Sequence, residues 1–116
     1  MKPLRYDRIS PSLPWLDDRG LHIQAHGGVV IEVDGRWYWF GEDRSPGNDP
    51  DTCPVACYVS SDLMNWEFRG QVFEGRNPEK LSGLWQIERP KVFHHRKSGR
   101  FVMYFHIDGQ EPGHWS

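Results

Sequence analysis

The chain has 116 residues, 37% of them apolar and 14% aromatic, with six tryptophans and a formal charge of −2. That length allows one small domain, able to bury about two-thirds of its unfolded surface. The weak net charge gives no reason to propose nucleic acid or an anionic membrane as a partner, and no apolar run approaches the roughly 20 residues of a membrane-spanning helix.

The opening stretch, MKPLRYDRISPSLPW, has no apolar h-region, so no signal peptide is visible in it. The next concentrated stretch is QAHGGVV, where Gly27 and Gly28 after His26 let the backbone come close to something, either a ligand or the axis of a propeller. VVIEVDGRWYWFGE then reads as a hairpin, two apolar arms around Asp34-Gly35, residues that tolerate the positive φ of a primed turn. Val29, Val30, Ile31 and Val33 are almost continuous rather than alternating, which predicts a strand covered on both faces.

Cys53 and Cys57 in CPVAC would close only a very short loop and lack partners at metal spacing, so structural or free thiols are expected. VACYVSSDLMNWEFRGQVF supplies two more strands around Ser61-Asp62-Leu63. There Asp62 and Asn65 are expected to make turn hydrogen bonds while Leu63 and Trp66 pack inward. A second hairpin follows in KVFHHRKSGRFVMYFHID, turning at Lys97-Ser98-Gly99.

Glycines and prolines, 12 and 9 of them, leave little room for helix, so the chain reads as all-β. The two hairpin turns, at Gly35 and Gly99, stand about 64 residues apart, and RWYWFGED matches RFVMYFHID approximately. Four strands followed by the start of a similar unit are the mark of radial repetition, as in a β-propeller. A β-sandwich is the alternative. On the propeller reading the chain carries about one and a half to two blades, fewer than the four that close a ring.

Cleavage of a glycosidic bond generally needs two carboxylates on either side of it. The candidates are Asp17, Asp18, Glu42, Asp43, Glu88 and Asp108. Glu42 and Asp43 stand where the apolar strand WYWFG leaves the core, and Glu88 directly precedes a predicted strand. Inner strands of a propeller converge on one funnel, so Glu42 and Glu88 can meet there despite their separation in sequence. Taken singly, each has an ordinary reading: Glu42 as a loop carboxylate, Glu88 as the surface partner of Arg89 or Lys91, His26 as a hydrogen-bonded structural residue. His94, His95 and His106 do not make a metal site by spacing, because neighbouring strand residues point to opposite faces; no cofactor is expected.

In this order, AHGGVV, GRWYWFGE, SSDLMNW and ERPKV…GRFVMYFH resemble glycoside hydrolase family 43, five-bladed β-propeller enzymes, and most of all its exo-β-1,3-galactanase branch. The resemblance runs from about Leu21 to His106 and covers the N-terminal part of such an enzyme, with a first blade at about 21–80 and the start of a second at 81–116. It implies an inverting hydrolase acting on an oligo- or polysaccharide, most of all exo-cleavage of β-1,3-galactan. Where most of the family carries an early Asp-Pro with the base, this chain has QAHGGVV, an absence the galactanase-like branch shares. The resemblance makes Glu88 the carboxylate that contacts the sugar and modulates the general acid's pKa, with Arg89 beside it. It makes Glu42 a binder of a terminal-sugar hydroxyl, and it places the general acid and a water-positioning glutamine beyond Ser116, so that this stretch alone is expected to be inactive. His26 is a further substrate-side candidate. Trp115 stands about where relatives carry a tyrosine near the sugar, after a longer loop. Trp37, Trp39 and Trp85 are possible sugar-stacking faces, with strand packing the competing use of the first two. An arabinofuranosidase or xylosidase of the same family, with Asp17 or Asp18 as base, and a sugar-binding propeller without catalysis remain as alternatives. Oligomeric state is open, as is export of the complete protein.

Overall fold

The computed structural model describes residues 3–48, 52–74 and 84–110, and all its regular structure is β. Strands β1 (His26–Val33), β2 (Arg36–Glu42), β3 (Val55–Ser60) and β4 (Glu67–Phe73) form one antiparallel sheet in chain order. Strands β5 (Leu84–His95) and β6 (Arg100–Gln110) form a second, two-stranded sheet. A four-stranded meander followed by a hairpin packed beside it is the arrangement expected for the start of a propeller.

The turns obey their local chemistry. Asp34 and Gly35 take φ of 53° and 81°, the pair of positive values a primed turn requires. Between β3 and β4, the Asp62 carboxylate accepts from the backbone N–H groups of Met64 and Asn65 and from the Asn65 side chain. These bonds hold the Asp62 carboxyl well below the usual carboxylate range, the Asn65 side-chain bond contributing most. Trp66 packs inward as expected, but Leu63 does not: it has φ of 63° and is 42% exposed. The left-handed turn it occupies aims its side chain at solvent.

Two apolar clusters lie on opposite faces of the first sheet. One, between the sheets, joins Phe40, Val55 and Cys57 to Ile87 and Val92. The other joins Ala25, Ala56, Tyr58 and Trp66, with Trp37 and Trp39 packed against it. Every residue of β3 is buried, so β3 is the doubly covered strand. The expectation that Val29–Val33 would be so is overturned. Val29 and Ile31 pack toward the second sheet while Val30 is 42% exposed, because β1 is the edge strand of its sheet.

The segment before β1 dresses the opposite edge. Asp18 N donates to Trp66 O, and Phe68 N donates to Asp18 Oδ1. Asp17 is fully buried, accepting from Arg19 and from the N–H groups of Arg19 and Leu21. Asp18 therefore ties the chain to β4, while Asp17 fastens its own turn through Arg19 and Leu21.

Cys53 and Cys57 are free, buried thiols, as expected. Burial pushes the Cys57 thiol up from 9.0 to about 11. The fold thus favours the neutral thiol: this contribution to stability is complete below pH 9 and is lost as pH rises toward 11. At pH 8 the native thiols are expected to resist iodoacetamide while the unfolded chain reacts at both cysteines, with mass spectrometry as the readout.

Close approach of β1 to β2 depends on glycine. A Cβ on Gly28 would stand 1.7 Å from Phe40 O, whereas one on Gly35 would meet nothing within 4 Å. Gly28→Ala should therefore cost about 3 kcal/mol by forcing strands apart, and Gly35→Ala about 1 kcal/mol by its φ alone. Thermal melts of the two variants that coincided would refute the close-approach argument.

Candidate active site

Three chain segments meet at one end of the first sheet: the start of β1, the end of β2 and a bulge in β5. Apolar β2 delivers its last residue, Glu42, to a position only 3% exposed. A carboxylate so placed needs partners, and both oxygens have one. Oε1 accepts from Arg44 Nη2 at 2.7 Å, and Oε2 accepts from the backbone N–H of Arg89 at 3.1 Å.

The bulge follows from sequence. Along β5, Glu88 pairs with His106 and Lys91 with Tyr104, so Arg89 and Pro90 face the single residue Phe105. Pro90 has no N–H to give the ladder. Arg89 takes φ of 52°, a left-handed conformation that costs a non-glycine residue about 1–2 kcal/mol. The charge-assisted bond from its N–H to Glu42 offsets that strain. Lys91 reaches back and donates through Nζ to Gly27 O at 2.9 Å. Gly27 has φ of 58°, and a Cβ there would come within 2.7 Å of Glu42 Oε2. Its lack of a side chain is what admits the carboxylate.

Glu88 lies inside β5 rather than before it, half-buried, because strand pairing continues on both sides of the bulge. Among the described residues it forms no ion pair with Arg89 or Lys91, which removes the ordinary surface-pair reading. Its charge reaches Arg44 instead. The Arg44 guanidinium is held above its usual value first by the Glu42 hydrogen bond, then by the charge of Glu42 and, more weakly, that of Glu88. The two carboxylates also act on Cys53, whose thiol is pushed up by burial first and then by Glu42.

His26 is exposed, with Nε2 2.9 Å from Gln24 Oε1, and the same oxygen accepts from Arg44 N at 3.3 Å. It therefore borders the cleft. Asp43 faces away into a loop: burial works against its charge, but hydrogen bonds from Ser45, Gln71 and Asn48 hold it below the usual carboxylate range. Trp39 is edge-on to Trp15 and Trp66, in the core and not in the cleft. Trp115 lies outside the described residues, as do the side chains of Trp85 and Asp108. Sequence reading missed Arg44 and Gln24. The available signal for Arg44 was its place two residues after Glu42, since alternate residues of an extended segment share a side.

The meander with a hairpin packed beside it fits the start of a β-propeller, and a pinned carboxylate with flanking cations makes a polar cleft at one end. Comparison with solved structures makes this specific. The exo-β-1,3-galactanase of Phanerochaete chrysosporium, solved with galactose, is 38% identical over 90% of this chain and 24% of its own, with a TM-score of 0.75. That of Clostridium thermocellum is 38% identical over 85% of this chain and 21% of its own, with a TM-score of 0.71. A family 43 β-1,3-galactosidase bound to galactodeoxynojirimycin is 34% identical over 90% of this chain and 31% of its own, with a TM-score of 0.70. No family model and no curated protein matches the sequence. In sequence and in fold the chain is a glycoside hydrolase family 43, exo-β-1,3-galactanase-like segment. It spans about a fifth to a third of the length of the structures it matches.

The strain at Arg89 is testable in the intact protein. Arg89→Gly should be more stable than Arg89→Ala by about 1 kcal/mol, since only glycine adopts this φ freely. Equal melting temperatures would mean that the bulge relaxes when Arg89 is truncated.

Proposed function

We propose that the protein containing these strands is an exo-acting β-1,3-galactan hydrolase that inverts the anomeric centre. Residues 21–80 would form its first blade and 81–116 begin its second. The observation that carries the reading is the bond that pins the backbone of Arg89, next to Glu88, to buried Glu42, in a chain 38% identical to exo-β-1,3-galactanases.

In this reading Glu88 contacts the terminal sugar, and its negative charge raises the pKa of a neighbouring general acid by like-charge repulsion, so that the acid stays protonated near neutral pH. Arg89, exposed beside it, donates to sugar hydroxyls, and Glu42 accepts from one. His26 borders the same subsite. The general acid and the water-positioning group come from parts of the propeller outside this chain, so the 116 residues supply only part of the machinery. An arabinofuranosidase or xylosidase with an early aspartate base is the weaker reading, since Asp17 is buried in bonds from Arg19 and Leu21 and Asp18 accepts from β4.

With the intact protein, β-1,3-galactan should release galactose from the non-reducing end, seen first as the α anomer by NMR. Glu88→Gln should lower kcat by about 100-fold with the melting temperature kept. Release of arabinose or xylose and none of galactose would defeat the substrate assignment. A kcat and pH–rate profile unchanged in Glu88→Gln would remove Glu88 from the mechanism.

A further inference from the structure

We propose that Arg44 is a sugar-contacting specificity residue, which together with Glu42 recognises a single hydroxyl of the terminal sugar. The inference rests on the reading of the cleft as a galactan site and adds to it a residue outside the roles given above.

A hydroxyl offers one proton and two lone pairs. An ionised carboxylate can only accept from it, and a guanidinium can only donate to it. A site that reads both properties needs one of each, side by side and fixed in place. Glu42 and Arg44 meet that requirement: Arg44 Nη2 lies 2.7 Å from Glu42 Oε1. The Glu42 side chain is 4% exposed and that of Arg44 61%, so the pair presents its guanidinium to solvent over a buried carboxylate.

Both members are held. Glu42 is fixed from its other oxygen by Arg89 N, and the backbone N–H of Arg44 donates to Gln24 Oε1. Glu42 occupies one of the five N–H groups that a guanidinium carries. Among the described residues no further side-chain acceptor for Arg44 is present, which leaves donors for a ligand. The charge of Glu88 also bears on Arg44, more weakly than that of Glu42. An exposed ion pair alone contributes little to stability, whereas a planar fork beside a buried carboxylate suits polar recognition.

The test uses the intact protein and β-1,3-galactobiose, with analogues in which each hydroxyl of the non-reducing galactose is replaced in turn by hydrogen. Wild type should lose about 100-fold in kcat/KM against one of these analogues, the one lacking the hydroxyl read by the pair. Arg44→Gln should raise KM about 30-fold on the parent sugar with kcat within about threefold, and should shrink the penalty for that same analogue to about threefold. Arg44→Lys, which keeps charge but not the fork, should fall between them and guards against a Gln variant that does not fold. An unaltered deoxy penalty in a folded Arg44 variant overturns the inference, as does a fall in kcat at constant KM, which would make Arg44 only a support for Glu42. A wild type inactive on the parent sugar would instead defeat the galactan reading, and this inference with it.

Discussion

The hydrogen bond from Arg89 N to the buried carboxylate of Glu42 is the constraint on which the cleft depends. It joins the last residue of an apolar strand in one sheet to the most strained residue of the other. Neither end is stable alone. A carboxylate 3% exposed must find donors or lose its charge, and a left-handed arginine must be held by its surroundings. Each supplies what the other lacks, at an energetic scale of about 1–3 kcal/mol for a bond to a charged acceptor. Gly27 is the condition for the meeting, since any side chain there would occupy the space of Glu42 Oε2.

This coupling also explains why the site is polar at its base and yet rigid. Glu42 is approached from two directions, by the Arg44 side chain and by the Arg89 backbone, and Lys91 closes the bulge onto Gly27 O. Three segments distant in sequence are thus fixed by polar contacts to one another, not merely to solvent. Carbohydrate recognition gains from such fixing, because a donor or acceptor already in place need not be ordered when the sugar arrives.

Much of the fold was legible in the sequence. Asp34-Gly35 and Lys97-Ser98-Gly99 marked both hairpins, and the Asp62–Asn65 turn read correctly because those bonds are local. What failed depended on the neighbours of a strand. Val29–Val33 looked doubly covered, but coverage is set by position in the sheet, and β1 is its edge. Leu63 looked like a core residue until the turn gave it a positive φ. In the cleft, Glu42 and Glu88 were legible as candidates from their motifs. The bulge that brings Arg89 N to Glu42 was not, although Pro90 hinted at a break in the ladder. Arg44 went unnoticed because its one signal, a place two residues after Glu42, gains meaning only once that carboxylate is known to be buried.

The position of Glu88 follows from ties on either side of it. Ile87, just before it, is fully buried, and its carbonyl accepts from Cys53 Sγ at 3.1 Å. Arg89, just after it, gives its N–H to Glu42. The backbone of Glu88 is therefore fastened to the first sheet by two bonds that flank it, one to a residue preceding β3 and one to the end of β2. Thiol bonds are weak, but this one is shielded from water, and the apolar contacts of Ile87 and Val92 with Phe40 and Val55 support it. The remaining freedom of Glu88 is that of its side chain, which is half-exposed. A backbone held on both sides narrows the volume that the carboxylate can sweep, and since the effect of a charge on a neighbour falls with distance, that restraint sets how far its field is felt.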